Sequence, residues 1–323
     1  MSRSALQNSL VKAAVVAGLI LSAGAAALGW GMTGHEIAVR RAVGILPDEM
    51  KPFFVANREN ITLFADEPDA LSRVDSSEGA NHYLDLDAFD SYPFHNIPAD
   101  EAEFAKRFGA EATGKGRLPW AVRDTYGRLV AAFRARDYEA ILEHAGYLAH
   151  YVSDSTMPLH ATKNYKGQET GNVVFSTEAA DRHVHVRFEI GMIDLYFDDI
   201  DKAVAAAVGQ PHRVEDAAAE ALANLKASYS LIDRILETDK EALAPEGKAD
   251  TLYYKTMYDK VGDVAKAQLA LAAEEVASYW RSAWEDAGKP RLIAGEVRLT
   301  VDPLTIKPAE KAGNQGNETE AAK

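Results

Sequence analysis

The sequence predicts an all-α protein, a single domain of multiple packed helices, and three observations carry that prediction. Apolar residues recur at three- and four-residue spacing along most of the chain. Alternating β-branched runs of strand character are few. Gly and Pro gather in short stretches that separate the periodic segments. At 323 residues, 47% hydrophobic and 26% charged, the chain is long enough and apolar enough to build one large core.

Taken in order, Arg3 and Lys12 precede a small-residue, apolar run over 13–28 that ends in Ala27-Leu28-Gly29. Small residues at the −3 and −1 positions of a signal-peptidase site predict an export signal over 1–29 and a mature chain that begins at Trp30, periplasmic or secreted. The run is short and weakly hydrophobic for a retained membrane span. Its removal takes two positive charges and no negative ones, so the formal net charge goes from −14 to −16. Helices are then expected over 33–46, 123–136, 138–153, 214–237 and 252–287. In the fourth, Ala217, Ala218, Ala221, Leu222, Leu225, Tyr229 and Ile232 form one stripe, which reads as core. Loops are expected at 93–98, 114–119, 163–171 and 245–247, a short edge strand at 297–301, and a disordered tail over 308–323, leaving 30–307 as the folded domain. No repeat of solenoid period is present.

The chain has no cysteine. Disulfides, thiolate zinc fingers and iron–sulfur clusters are therefore excluded, and any metal must be held by His, Asp and Glu. The acidic balance argues against broad binding to phosphate backbones, which needs a basic face.

Nine histidines are present, and their placement points to metal. His150 and Asp154 stand at i and i+4, as do His185 and Glu189, so each pair projects from one face of a helix about a turn apart. Ala145, Tyr147, Leu148, Tyr151 and Val152 surround the first pair with largely apolar positions, where an imidazole and a carboxylate need partners to offset desolvation. Pro158 closes that segment, and His160 follows Asp154 by six residues. Upstream lie Trp30, His35, Asp66 in FAD and His82 in NHYLDLD.

In that order the residues make a set: an N-terminal Trp, H, D, H, H-x-x-x-D, PLH and H-x-x-x-E. Over about Trp30 to Glu189 the chain resembles the superfamily that joins zinc-dependent phospholipase C to the fungal single-strand-specific nucleases, a mostly helical fold built around three zinc ions. The resemblance implies that Asp66, His82, His150 and Asp154 hold one zinc and that His160, His185 and Glu189 hold a second. The third would take the α-amino nitrogen and carbonyl oxygen of Trp30, with His35 and a bridging Asp154. Asp69 is the alternative to Asp66 as ligand, and Asp66 is also the candidate general base. The cleavage site placed from small-residue rules frees the same amine that the resemblance requires.

Two positions depart from the family core H-[FY]-x-G-D-x-x-Q-P-[LM]-H: Ser153 stands for Gly and Met157 for Gln. Neither removes a ligand. Asp85, Asp87 and Glu67 are candidates to orient the ligand histidines. His183 reads as a surface or supporting group, and His95, His144 and His212 as structural. Lys163, Asn164, Tyr165 and Lys166 follow His160 closely enough to meet a phosphate or head group, or to form a plain solvated loop. The expected activity is hydrolysis of a phosphodiester through metal-activated water, with no Ser or Cys nucleophile. Glu189, the HATKNY stretch, the missing cysteine and the acidic chain favour a phospholipid or other small phosphodiester. The short step from Trp30 to His35 favours single-stranded nucleic acid or a 3′-nucleotide. A helical zinc-binding envelope protein without turnover is the third expectation, and no stable protein partner is expected.

Overall fold

The computed structural model describes residues 30–172, 183–243 and 248–300. The export signal over 1–29, the tail over 308–323 and the loop at 245–247 lie outside the described residues. Among the described residues there is no β-strand beyond one isolated bridge between Leu84 and Gly116, and the architecture is all-α. No described helix is long and apolar enough to cross a membrane.

Eleven helices suffice to position the site: α1 Gly31–Ile45, α2 Lys51–Ala56, α3 Arg58–Ser72, α4 Glu101–Phe108, α5 Leu118–Ala135, α6 Tyr138–Asp154, a composite α7, α8 Phe197–Ala207, α9 Ala217–Tyr229, α10 Ile232–Leu243 and α11 Thr251–Asp286. Helix α7 joins Val184–Val186 to Ile193–Leu195 through a π-helical stretch, Arg187–Met192. Aspartates start several of them: Asp100, Asp137, Asp216 and Asp250 each accept a hydrogen bond from a first-turn amide of α4, α6, α9 and α11, satisfying a donor that has no intrahelical partner.

Helix α6 lies at the centre, packed against α3, α5, α11 and α1. Its contact with α3 is close because residue 146 is glycine: a Cβ there would come within 2.4 Å of Phe64 Cβ and 2.7 Å of the Ile61 carbonyl. The Trp280 indole of α11 donates to the Ala145 carbonyl at 3.0 Å, and Phe54 of α2 packs on the same indole. Trp30, Trp120, Trp280, Phe53, Phe54, Phe104 and Phe133 are fully buried, which is where aromatic area contributes most to a core.

The segment expected as one helix over 214–237 is two. Ser230 and Leu231 hydrogen-bond to the carbonyls of Ala227 and Ser228, a tightened final turn that closes α9 before α10 begins. Ser228 is engaged elsewhere: its hydroxyl donates to the carbonyls of Asn224 at 2.8 Å and Thr156 at 3.1 Å and accepts from Gln268 Nε2 at 2.8 Å, tying α9 and α11 to the turn after α6. The loop expected at 114–119 begins inside a 3₁₀ segment, Ala110–Lys115, and ends inside α5, because Pro119 sits at a first-turn position that needs no amide hydrogen. The edge strand expected at 297–301 is absent over its described part. Side chains hold that stretch instead, with Val297 N donating to Asn57 Oδ1 at 2.7 Å and Asn57 Nδ2 donating to the Gly295 carbonyl at 2.9 Å.

Candidate metal centre

Five histidines and three carboxylates converge at the C-terminal end of α6. Helix α1 contributes His35, α3 Asp69, the 3₁₀ turn Ala80–His82 its last residue, α6 His150 and Asp154, the 3₁₀ turn Pro158–Ala161 His160, and α7 His185 and Glu189. All eight are buried, none more than 6% exposed. Asp154 is the hub. Its Oδ1 faces His35 Nε2 at 3.7 Å, and its Oδ2 faces His82 Nδ1 at 3.2 Å, His150 Nε2 at 3.3 Å and His160 Nδ1 at 3.8 Å. Glu189 stands 2.8 Å from His185 Nε2 and 3.7 Å from His160 Nε2.

The ligand atoms sort into three groups, each within 4.8 Å: His35, His150 and Asp154; Asp69, His82 and His150; His160, His185 and Glu189. The sequence set is thus brought together with one change. Asp69, 3.5 Å from His82 Nδ1 and 3.8 Å from His150 Nε2, takes the place beside those rings that was expected for Asp66. The reason is helical phase: Ile61, Phe64, Ala65, Pro68 and Asp69 form the buried face of α3 at i, i+3, i+4, i+7 and i+8, and Asp66 falls off it. Asp66 is half-buried, its Oδ1 lacks a hydrogen-bond partner, and burial pushes its carboxyl up to about 7.

Supporting contacts fix which nitrogen of His150, His35 and His82 faces inward. His150 Nδ1 lies 2.7 Å from the Ala65 carbonyl, which can only accept, so the proton sits there and Nε2 keeps its lone pair for the centre. His35 Nδ1 lies 2.9 Å from Ser153 Oγ. That hydroxyl is within 2.7 Å and 2.9 Å of the Ala149 and His150 carbonyls, so its proton goes to them and it accepts from His35. His82 Nε2 faces Glu78 at 3.5 Å, and Tyr151 donates to the same carboxylate. Asp85, Asp87 and Glu67 do not have the expected role: Asp87 holds Thr162 Oγ1 at 2.6 Å and Lys163 N at 2.9 Å, Asp85 lines a cleft, and Glu67 pairs with Tyr147. The orienting groups are the Ala65 carbonyl, the Ser153 hydroxyl and Glu78, of which Glu78 alone, four residues before His82, stands at a helical spacing from its ring.

Trp30 closes the floor. Its indole is fully buried and donates to the Ser153 carbonyl at 2.9 Å, while its own carbonyl accepts from Gly34 N at 3.2 Å. On the far side, Arg187 is buried in a forked pair with Asp239, at 2.7 and 2.8 Å from the two carboxylate oxygens, and donates to Tyr253 at 3.0 Å. This pair anchors the π-helical stretch that carries Glu189.

The donors fit a metal. His35 Nε2, both Asp154 oxygens, both nitrogens of His160 and His185 and both Glu189 oxygens are buried without a hydrogen-bond partner. Leaving so many polar atoms unpaired in a low-dielectric interior is costly, and cations among them would satisfy the set at once. The charge pattern agrees. Burial and His150 hold His35 well below its ordinary value, whereas for His82 burial is outweighed by Asp154 and Glu78, which raise it to about 10. Burial, then Asp69 and Asp154, push Glu189 well above the carboxylate range. Nitrogen and oxygen donors with no sulfur, arranged around a shared carboxylate, suit a first-row divalent cation.

A cleft of about 370 Å³ opens onto His160 and His185, with Tyr83, Asp85, Thr162 and Tyr165 in its walls. The Tyr165 ring stands edge-on to His185 at 5.5 Å. Of the loop after His160, Tyr165 therefore reaches the centre, while Asn164 is buried in the loop's own hydrogen bonds and Lys163 pairs with Glu169. His183 is buried rather than at the surface, its ring 6.0 Å from that of His185. Burial, then Lys166 and Arg187, lower it to about 4. His212, expected to stand alone, meets Glu220 and Glu275.

No family model matches the chain. A curated relative, a probable serine protease of Bradyrhizobium tropiciagri, is 29% identical in a 210-residue alignment that covers 58% of this chain and 26% of that protein. The chain spans about a quarter of that relative's length. Two solved structures are similar to it. One is alpha-toxin from Clostridium absonum, 16% identical with a TM-score of 0.46, covering 79% of this chain and 63% of that one. The other is Clostridium perfringens alpha-toxin from an avian strain, 15% identical with a TM-score of 0.49, covering 83% and 66%.

Proposed function

We propose that the chain is an exported, zinc-dependent phosphodiester hydrolase of the phospholipase C type. The observation that carries this reading is the ring of buried imidazoles and carboxylates around Asp154, in which His35 Nε2 and the side-chain polar atoms of Asp154, His160, His185 and Glu189 lack a hydrogen-bond partner, supplied by the residues that the sequence resemblance picks out, with Asp69 in place of Asp66. His35, Asp69, His82, His150, Asp154, His160, His185 and Glu189 would hold three zinc ions, and the amine and carbonyl of a processed Trp30 would complete the ion at His35. Zinc so held supplies Lewis acidity toward phosphoryl oxygens and lowers the pKa of water into the neutral range.

The chain's own residues do the rest. Ser153, the Ala65 carbonyl and Glu78 hold His35, His150 and His82 in one orientation, so that the donors are set before a substrate arrives. The surrounding core excludes bulk water from all sides except the cleft. Tyr83, Tyr165 and Asp85 favour a small substrate with a cationic head group: two rings attract a quaternary amine, and Asp85, which burial and then Asp87 push up to about 7, adds to that attraction and repels a polyanion in its ionised form. Ser153 does not support a serine-nucleophile reading, because it is fully buried and its hydroxyl is committed to two backbone carbonyls.

The experiment is to purify the processed protein, count its zinc, and assay phosphatidylcholine, a choline phosphodiester and single-stranded DNA and RNA in parallel. Chelator-sensitive cleavage of the choline esters supports the reading. Rapid cleavage of single strands with no action on the lipid moves the activity to the nuclease type on the same donors, and an absence of zinc overturns both.

A further inference from the structure

A second cluster of ligand type stands on elements that the first centre does not use. His212, in the stretch leading to α9, meets Glu220 of α9 and Glu275 of α11, with one ligand atom from each inside 4.8 Å. His212 Nε2 is in contact with Glu220 Oε1 and lies 4.0 Å from Glu275 Oε1. The ring is pinned from behind. Ser278 Oγ lies 3.1 Å from His212 Nδ1 and accepts the His212 amide at 3.0 Å, while its own proton goes to the Glu274 carbonyl at 2.8 Å. A hydroxyl with its proton committed can only accept, so Nδ1 carries a hydrogen, while Nε2 donates to the Glu220 carboxylate and is the nitrogen a cation would take in place of that proton. This is the support that metal-bound imidazoles use.

The carboxylates call for a positive charge. Glu275 is 5% exposed, and its Oε2 has no hydrogen-bond partner. Burial and then Glu220 push the Glu275 carboxyl up to about 7, as two carboxyl groups crowded into a part-buried corner require, and Glu274 adds another from the same turn, packed against Gly209. The side chains of His212 and Glu220 are 42% and 22% exposed, so an ion can enter from solvent. We propose that His212, Glu220 and Glu275 form a separate, solvent-reachable site for one first-row divalent cation, of the Zn²⁺ or Mn²⁺ type, held by one imidazole nitrogen and two carboxylate oxygens. The site is independent of the reading of the first centre.

The test is a Mn²⁺ titration of the intact protein, dialysed against a mild chelator so that only tightly held zinc remains, followed by electron paramagnetic resonance and calorimetry. The expected result is one further equivalent bound by the native chain. His212→Ala and Glu220→Gln should each weaken that equivalent at least tenfold, with the tightly held zinc count and thermal midpoint unchanged. Glu220→Gln keeps shape and guards against misfolding of the alanine variant. Equal Mn²⁺ binding in the native chain and both variants, or no further equivalent in the native chain, overturns the proposal and leaves an ion pair.

Discussion

Ser153→Ala removes one oxygen atom from a position where its loss can be followed to a single ring. The hydroxyl touches His35 Nδ1 and the carbonyls of Ala149 and His150. Those carbonyls belong to α6 and keep their helical partners, and alanine is at home in a helix. The group left without a partner is the His35 N–H. Ser153 and His35 are 0% and 1% exposed, so water does not replace the lost acceptor. A buried donor left unpaired costs about 1–3 kcal/mol, roughly 5- to 150-fold in an equilibrium. Without metal the ring can move its proton to Nε2 and point it at Asp154, which softens the penalty. With metal on Nε2 that escape is closed, so the loss falls on binding. Second-layer partners of metal ligands typically carry about 10- to 100-fold in affinity, within the same range. A chelator competition on the processed protein, read by zinc content, should show one ion weakened by roughly that factor while the others hold, with little change in the apoprotein's thermal midpoint. Superimposable chelator curves for the two proteins, or loss of all ions together, would refute the reasoning.

Asp154→Asn should lower zinc content and activity far more than His183→Ala, since it removes the charge shared by four imidazoles; equal effects would show the ligand map to be wrong. Asp69→Asn should release zinc while Asp66→Asn retains it, and the reverse in metal analysis would restore Asp66 as ligand. One extra residue before Trp30 should cost the ion at His35, because an amide nitrogen is a far poorer donor than an amine; equal zinc counts in processed and extended forms would remove the amine from the site. In the apoprotein His82 keeps its proton up to about 10, where Asp154 and Glu78 overcome burial, so zinc loading at pH 7–8 should expel a proton and zinc should leave as pH falls. Calorimetry in buffers of different ionisation enthalpy reads the proton, and a buffer-independent heat would contradict the assignment.

Much of the site was legible because helices turn linear spacing into faces. His150 with Asp154 and His185 with Glu189 could be paired from spacing alone, and the apolar neighbours of the first pair showed that it is buried. Helices α1, α5, α6 and α11 follow the same logic. Helix α3 escaped notice because its inward face carries Pro68 and Asp69, which a search for apolar stripes discards; the same stripe, allowed one polar member, selects Asp69 over Asp66. The cluster at His212 could not be read, since its partners stand 8 and 63 residues away on other elements. Nor could the oxygens that orient His35 and His150, since one is a backbone carbonyl and the other occupies a position where the family has glycine.

The π-helical stretch in α7 makes the centre sensitive to chain length in a way that it is not to substitution. Such turns are rare and persist where the surroundings hold them, here through Arg187 locked onto Asp239 and Tyr253. An insertion of one residue between His185 and Glu189, where the turn already holds one residue more than an α-helix, would advance every later side chain by about 100° around the axis. Glu189 would then leave the pocket, while the core beyond Met192 would lose its register. A deletion would tighten the wide turn to α geometry and break the four-residue step that sets Glu189 against His185. Variation in this segment should therefore appear as exchanges of residue at constant length, and gaps should fall in the connecting stretches on either side.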